Sequence, residues 1–105
     1  MTQFAYLHGL SSSPLGTKAA ALREAFRAEG LKLHCPDLNR PSFDRLTFDA
    51  ALTALDELSA QFPTERWRLV GSSMGGYLAA RWAQLNPGRV ERLLLLCPGF
   101  DLASR

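Results

Sequence analysis

Apolar positions along the chain switch between two periods. Phe4 to Leu7 is a short apolar run ended by His8-Gly9. Between Thr17 and Glu29, Ala19, Leu22 and Phe26 recur at spacings of three and four, which places them on one helical face. Gly30 follows, where a helix end favours a residue that tolerates the left-handed conformation. Leu31 to Cys35 reads as a second strand closed by Pro36, and residues 37–42 are polar and rich in turn formers. Phe48, Ala51, Leu52, Leu55 and Leu58 mark a second amphipathic helix, with Thr47 as its N-cap and Pro63 just past its end. Trp67 to Val70 is a third strand. Gly75 to Leu85 is a third helix, apolar at Leu78, Ala79, Trp82 and Ala83 and stopped by Asn86-Pro87-Gly88. Val90 to Cys97 is a fourth strand, and its Leu93 to Leu96 run is apolar toward both faces.

Strands that alternate with helices predict an α/β fold with a parallel sheet and right-handed crossovers. A strand apolar on both faces belongs in a sheet with helices on both sides. The chain has 105 residues, enough for one domain, and shows no repeat or linker.

Bulk properties narrow the partners. Apolar residues make up 47% and charged residues 21%, which predicts a globular chain rather than a disordered one. The formal net charge is +2 with the basic residues scattered, so no nucleic-acid partner is expected. No apolar stretch approaches the roughly 20 residues of a spanning helix, so no membrane partner is expected either. The N-terminus lacks a charged region ahead of a signal-length apolar core, and a cytoplasmic location is the default expectation. Cys35 and Cys97 have no metal-ligand spacing and read as small buried hydrophobes.

The chemistry concentrates in Arg68-Leu69-Val70-Gly71-Ser72-Ser73-Met74-Gly75-Gly76-Tyr77. Gly71, Ser73 and Gly75 spell Gly-x-Ser-x-Gly directly after a strand and directly before a helix, with Gly76 adjoining. A very tight strand-to-helix turn strains the central residue, and small residues two positions away let strand and helix approach. The Ser73 hydroxyl then projects at the top of the sheet as a candidate nucleophile. The backbone N–H of Met74 and the positive end of the helix point to the same spot. The plainer alternative is a glycine-rich turn with a solvated serine. A second motif, Tyr6-Leu7-His8-Gly9-Leu10, ends the first strand. His8-Gly9 at that place is the start of a loop, and the Leu10 N–H is by position the candidate for a second oxyanion donor. His8 reads as a hydrogen-bonded brace of this loop in preference to a catalytic group.

The whole chain resembles the first half of an α/β-hydrolase, and within that superfamily the small bacterial YqiA-type esterases. The resemblance rests on the elbow, on Tyr6-Leu7-His8-Gly9-Leu10-Ser11-Ser12-Ser13-Pro14 and on Cys35-Pro36-Asp37-Leu38. It implies hydrolysis of acyl esters, as a carboxylesterase or thioesterase-like enzyme, through Ser73 without metal or cofactor. It also implies four parallel strands corresponding to strands 3 to 6 of the complete fold, in the order 4-3-5-6. Cys35 and Cys97 then lie on opposite outer strands, about 14 Å apart, too far for a disulfide.

The chain departs from the superfamily pattern after the elbow. The triad order there is Ser, acid, His. Beyond Ser73 the sequence has no histidine, and its only acids are Glu91 and Asp101. Asp101 follows the fourth strand and is an acid candidate by position, a solvated loop residue being the plainer reading. His34, like His8, precedes the serine. The expectation is a single domain over residues 1–105, truncated before the catalytic acid and histidine, with strand 90–97 left as an apolar edge open to homodimer formation. A non-catalytic α/β binding module that keeps the hydrolase fold is the competing functional reading.

Overall fold

A computed structural model describes residues 1–9, 16–39 and 47–96. Its elements run β1 (Thr2–Leu7), α1 (Thr17–Ala28), β2 (Leu33–His34), α2 (Phe48–Ala60), β3 (Arg66–Ser72), α3 (Met74–Leu85) and β4 (Val90–Leu96). The four strands form one parallel sheet in the order β2-β1-β3-β4, which is the expected 4-3-5-6 order of the complete hydrolase sheet.

Alternation along the strands divides the core between two helical layers. Ala5 and Leu7 of β1 and Trp67 and Leu69 of β3 face α2 and α3, where Ala51, Ala54, Leu55, Leu78, Ala79 and Trp82 complete a buried cluster. Tyr6 and Leu33, with Phe4 and Val70 at the margin, face Ala19, Leu22 and Phe26 of α1. Helices therefore cover both faces. Thr47 caps α2 as anticipated, its Oγ1 accepting from the Ala50 N–H at 3.1 Å.

The second strand is shorter than its apolar run. Only Leu33 and His34 pair, with Phe4 and Ala5. Leu31 is taken up by the end of α1: Gly30 adopts φ 75°, its N–H donates to the Arg27 carbonyl, and the Leu31 N–H donates to the Phe26 carbonyl. This pair of bonds satisfies carbonyls at the helix terminus, so the chain does not extend until Lys32 has passed. β1 is longer than predicted because Thr2 and Gln3 pair with Arg66 and Trp67, and β3 is longer because Arg66 joins at its start and Gly71 and Ser72 pair with Leu95 and Leu96 at its end.

The Leu93–Leu96 run is not covered on both sides. Leu93 and Leu94 remain 40% and 57% exposed, because β4 is the outer strand among the described residues. Cys35 is a free thiol on the opposite side of the sheet, while Cys97 lies outside the described residues. Among the described residues, no helix is long and apolar enough to cross a membrane.

Candidate active site

β3 runs straight into α3 through one residue. That residue, Ser73, is the only non-glycine with positive φ among the described residues, at φ 55° and ψ −118°. L-residues rarely adopt this conformation, and holding one there costs about 1–3 kcal/mol. The surroundings over-determine it. The Ser73 N–H donates to the Leu96 carbonyl of β4 at 3.1 Å, and the Ser73 carbonyl accepts from the N–H groups of Gly76 and Tyr77. The side chain is exposed and makes no capping bond to the helix. Met74 opens the 12-residue α3, where the first N–H groups have no partner within the helix and the dipole is positive.

The glycines explain how the turn fits. A methyl group on Gly75 would lie 2.0 Å from the Leu7 carbonyl oxygen, and one on Gly71 2.5 Å from the Gly75 oxygen and the Gly76 Cα. Neither position has room for a side chain. Gly76 differs from its neighbours. A methyl group there would sit 3.4–3.6 Å from the nearest atoms, in ordinary contact, so its place in the motif is not sterically required.

Close approach of β1 to the elbow brings the second motif in. A methyl on Gly9 would be 3.1 Å from the Ser72 carbonyl oxygen and 3.2 Å from Ser73 Cβ. His8 is fully buried beneath this contact. Its Nδ1–H donates to the Gly9 carbonyl at 3.0 Å, and its Nε2 accepts from the Leu38 N–H at 2.9 Å. Both ring nitrogens are thus engaged in one neutral tautomer, and the lone pair a general base would use is occupied. The Asp37 carboxylate stands 3.7 Å from Nε2, beyond hydrogen-bond reach. His8 ties the end of β1 to the segment after β2, as a brace would. Leu10, the other predicted oxyanion donor, and Asp101, the acid candidate, lie outside the described residues.

The chain matches the uncharacterised protein family UPF0227 over residues 3–101. It belongs to that family. Among solved structures, the UPF0227 chain resembles a protein assigned to the α/β hydrolase superfamily from Xanthomonas campestris pv. campestris. That match has 28% identity and a TM-score of 0.70, covering 89% of this chain and 56% of the other. It also resembles the mouse α/β hydrolase domain-containing protein 10, with 25% identity, a TM-score of 0.71 and coverage of 89% and 39%. An extracellular α/β-hydrolase from a Paenibacillus species shares the fold at 18% identity and a TM-score of 0.74, covering 90% and 39%. The chain therefore spans between two-fifths and just over half the length of these structures. No curated protein matches it. The fold is that of the α/β-hydrolases, and its structural neighbours are hydrolases.

In this UPF0227 chain the two histidines are not brought together with Ser73 as a catalytic pair. His34 sits on β2, donating from Nε2 to Gln3 Oε1 at 3.0 Å and packing against Phe62 and Trp67. Gln3 and Trp67 lie near the N-terminal ends of their strands, the end of the sheet away from the elbow. Burial, and then the Lys32 charge, hold the His34 pKa below its ordinary value.

Two groups beside the elbow went unnoticed in the sequence. Ser72 is buried on the α1 face. Its Oγ accepts from Lys18 Nζ at 3.3 Å, and its hydroxyl bonds to the Tyr6 phenol, whose pKa is raised chiefly by burial. The first turn of α1 is thereby tied to the residue preceding Ser73. On the other side, Tyr77 stacks on Phe48, with ring centroids 5.3 Å apart. The cue for Ser72 was its alternation with Ser73 at the end of a strand; nothing local pointed to Lys18 or Phe48.

Proposed function

We propose that the chain carries the nucleophile and oxyanion elements of a serine hydrolase acting on acyl esters, with Ser73 as nucleophile and without a metal or cofactor. The observation that carries this reading is the exposed Ser73 hydroxyl on a strained, positive-φ backbone at a helix N-terminus. A structural serine has no need of that strain, which is characteristic of functional positions.

Ser73 Oγ attacks the ester carbonyl as its proton passes to a general base. The carbonyl oxygen becomes an oxyanion that accepts from the Met74 N–H and the Leu10 N–H. The alkoxide leaves with a proton, and water then releases the acyl group from Ser73. His8 holds the loop bearing the second donor and does not take the proton. His34 is at the other end of the sheet, so neither of these two histidines is placed to take the proton, and Asp101 is the acid candidate by its place after the fourth strand.

The test is covalent labelling of the full-length protein. An alkyl fluorophosphonate should add once, on Ser73, and Ser73→Ala should abolish the adduct in intact-mass measurement. Absence of labelling in the folded wild-type protein would refute the nucleophile and favour the non-catalytic binding module.

A further inference from the structure

Phe48 and Tyr77 pair with each other yet leave 52% and 49% of their surfaces exposed. Their rings are tilted by 39°. Phe48 opens α2 and Tyr77 lies in the first turns of α3, so both stand at the carboxyl ends of the parallel strands, where ligands of open α/β sheets bind. The Tyr77 N–H donates to the Ser73 carbonyl at 3.2 Å. This backbone bond sets Tyr77 in the first turn after the nucleophile, at the same end of the sheet. The two helices are held together below by a hydrogen bond from Trp82 Nε1 to Asp56 Oδ1 at 2.9 Å and by the buried Ala51, Leu55 and Leu78. The ring pair is thus a fixed apolar ledge at the end of the sheet that also carries the exposed Ser73.

We infer that Tyr77 and Phe48 form the subsite for the apolar substituent of the ester, an alkyl chain of medium length or an aryl group. This rests on Ser73 being the nucleophile and adds the substrate class. The ledge stands at the same end of the sheet as Ser73, with Tyr77 bonded to the Ser73 carbonyl through its backbone, and the occupant we assign to it is therefore part of the molecule that Ser73 attacks. Two tilted aromatic faces reward apolar area and make no hydrogen-bond demand except at the Tyr77 hydroxyl, so they select by size and hydrophobicity.

Two measurements test the inference in the full-length protein. In the first, Ser73 is labelled with ethyl and octyl fluorophosphonates. Wild type should react about tenfold faster with the octyl probe, tenfold being about 1.4 kcal/mol of differential binding. The preference should vanish in Tyr77→Ala and in Phe48→Ala and persist in Tyr77→Phe. Equal rates for the two probes in wild type would overturn the ledge while leaving the nucleophile intact. Esters with the long chain on the acyl side or on the alcohol side then tell which half of the substrate lies there.

The second measurement needs no reaction. In Ser73→Ala, methyl octanoate should shift the Tyr77 and Phe48 ring resonances, and methyl acetate should not. Rings unmoved by methyl octanoate would overturn the inference even if Ser73 is the nucleophile. Ring resonances that move with protein concentration in the absence of ester would assign the ledge to a second copy of the chain and overturn it as well.

Discussion

Replacing Gly75 by alanine probes the tightest glycine site among the described residues. The added methyl would meet three backbone atoms, Leu7 O at 2.0 Å, Leu7 C at 2.5 Å and His8 O at 2.6 Å. No side chain can rotate to relieve this contact, so α3 and β1 must separate by on the order of 1 Å in a close-packed interior. Such overpacking costs about 3 kcal/mol or more. For a domain of this size that lowers Tm by on the order of 15 °C. The shift also moves Ser73 relative to the His8-Gly9 segment, and a misplacement of about 1 Å at a reacting group slows it on the order of 100-fold. Gly76→Ala is the matched control on the same helix. Its methyl has ordinary contacts at 3.4–3.6 Å. It gains up to about 1 kcal/mol of helix propensity, so Tm should hold or rise. Thermal unfolding of both variants, with fluorophosphonate labelling rates beside it, reads the difference. If Gly75→Ala melts within a degree or two of Gly76→Ala, the elbow does not pack as described.

His8→Ala should cost about 2–4 kcal/mol in urea unfolding, since it leaves a cavity and strips partners from the buried Leu38 N–H and Gly9 carbonyl; an unchanged midpoint would remove the bracing role. The depressed pKa of His34 means that the unfolded chain binds the proton more readily. Its contribution is therefore fully present above the ordinary histidine pKa of 6.5 and is lost as pH falls through the lower folded-state value. His34→Gln should reduce the drop in urea midpoint between pH 7.5 and pH 5, and an identical drop in both proteins would exclude His34 as its source. Strand β4, with Leu93 and Leu94 exposed at the sheet edge, should drive association of the 105-residue chain. Light scattering should show a dimer or larger species that Leu94→Lys weakens, whereas a stable monomer at high concentration would contradict that expectation.

Periodicity, with its flanking caps and turn formers, located the elements of the described residues, because helices and parallel strands bury different repeats of the same apolar residues. The elbow was legible for a related reason: Gly71, Ser73 and Gly75 are spaced for one local turn, and a turn is a property of adjacent residues. Boundaries were less legible. The apolar run at Leu31 to Cys35 has the composition of a five-residue strand, yet the end of α1 competes for Leu31 and leaves only Leu33 and His34 to pair.

What only the tertiary structure decided are the contacts between residues distant in sequence. The sequence determined that Gly75 is small; the fold supplies the reason, since Leu7 and His8 press against it. His8 carried two readings until the Leu38 N–H was found on its Nε2, across 30 positions of chain. Gly76 shares the motif with Gly71 and Gly75, and only the packing separates it from them. Lys18 on Ser72 and Phe48 on Tyr77 join separate helices to the elbow. Sequence spacing fixes what neighbours along the chain can do, whereas the crossing of strands and helices fixes which distant side chains share the space around Ser73.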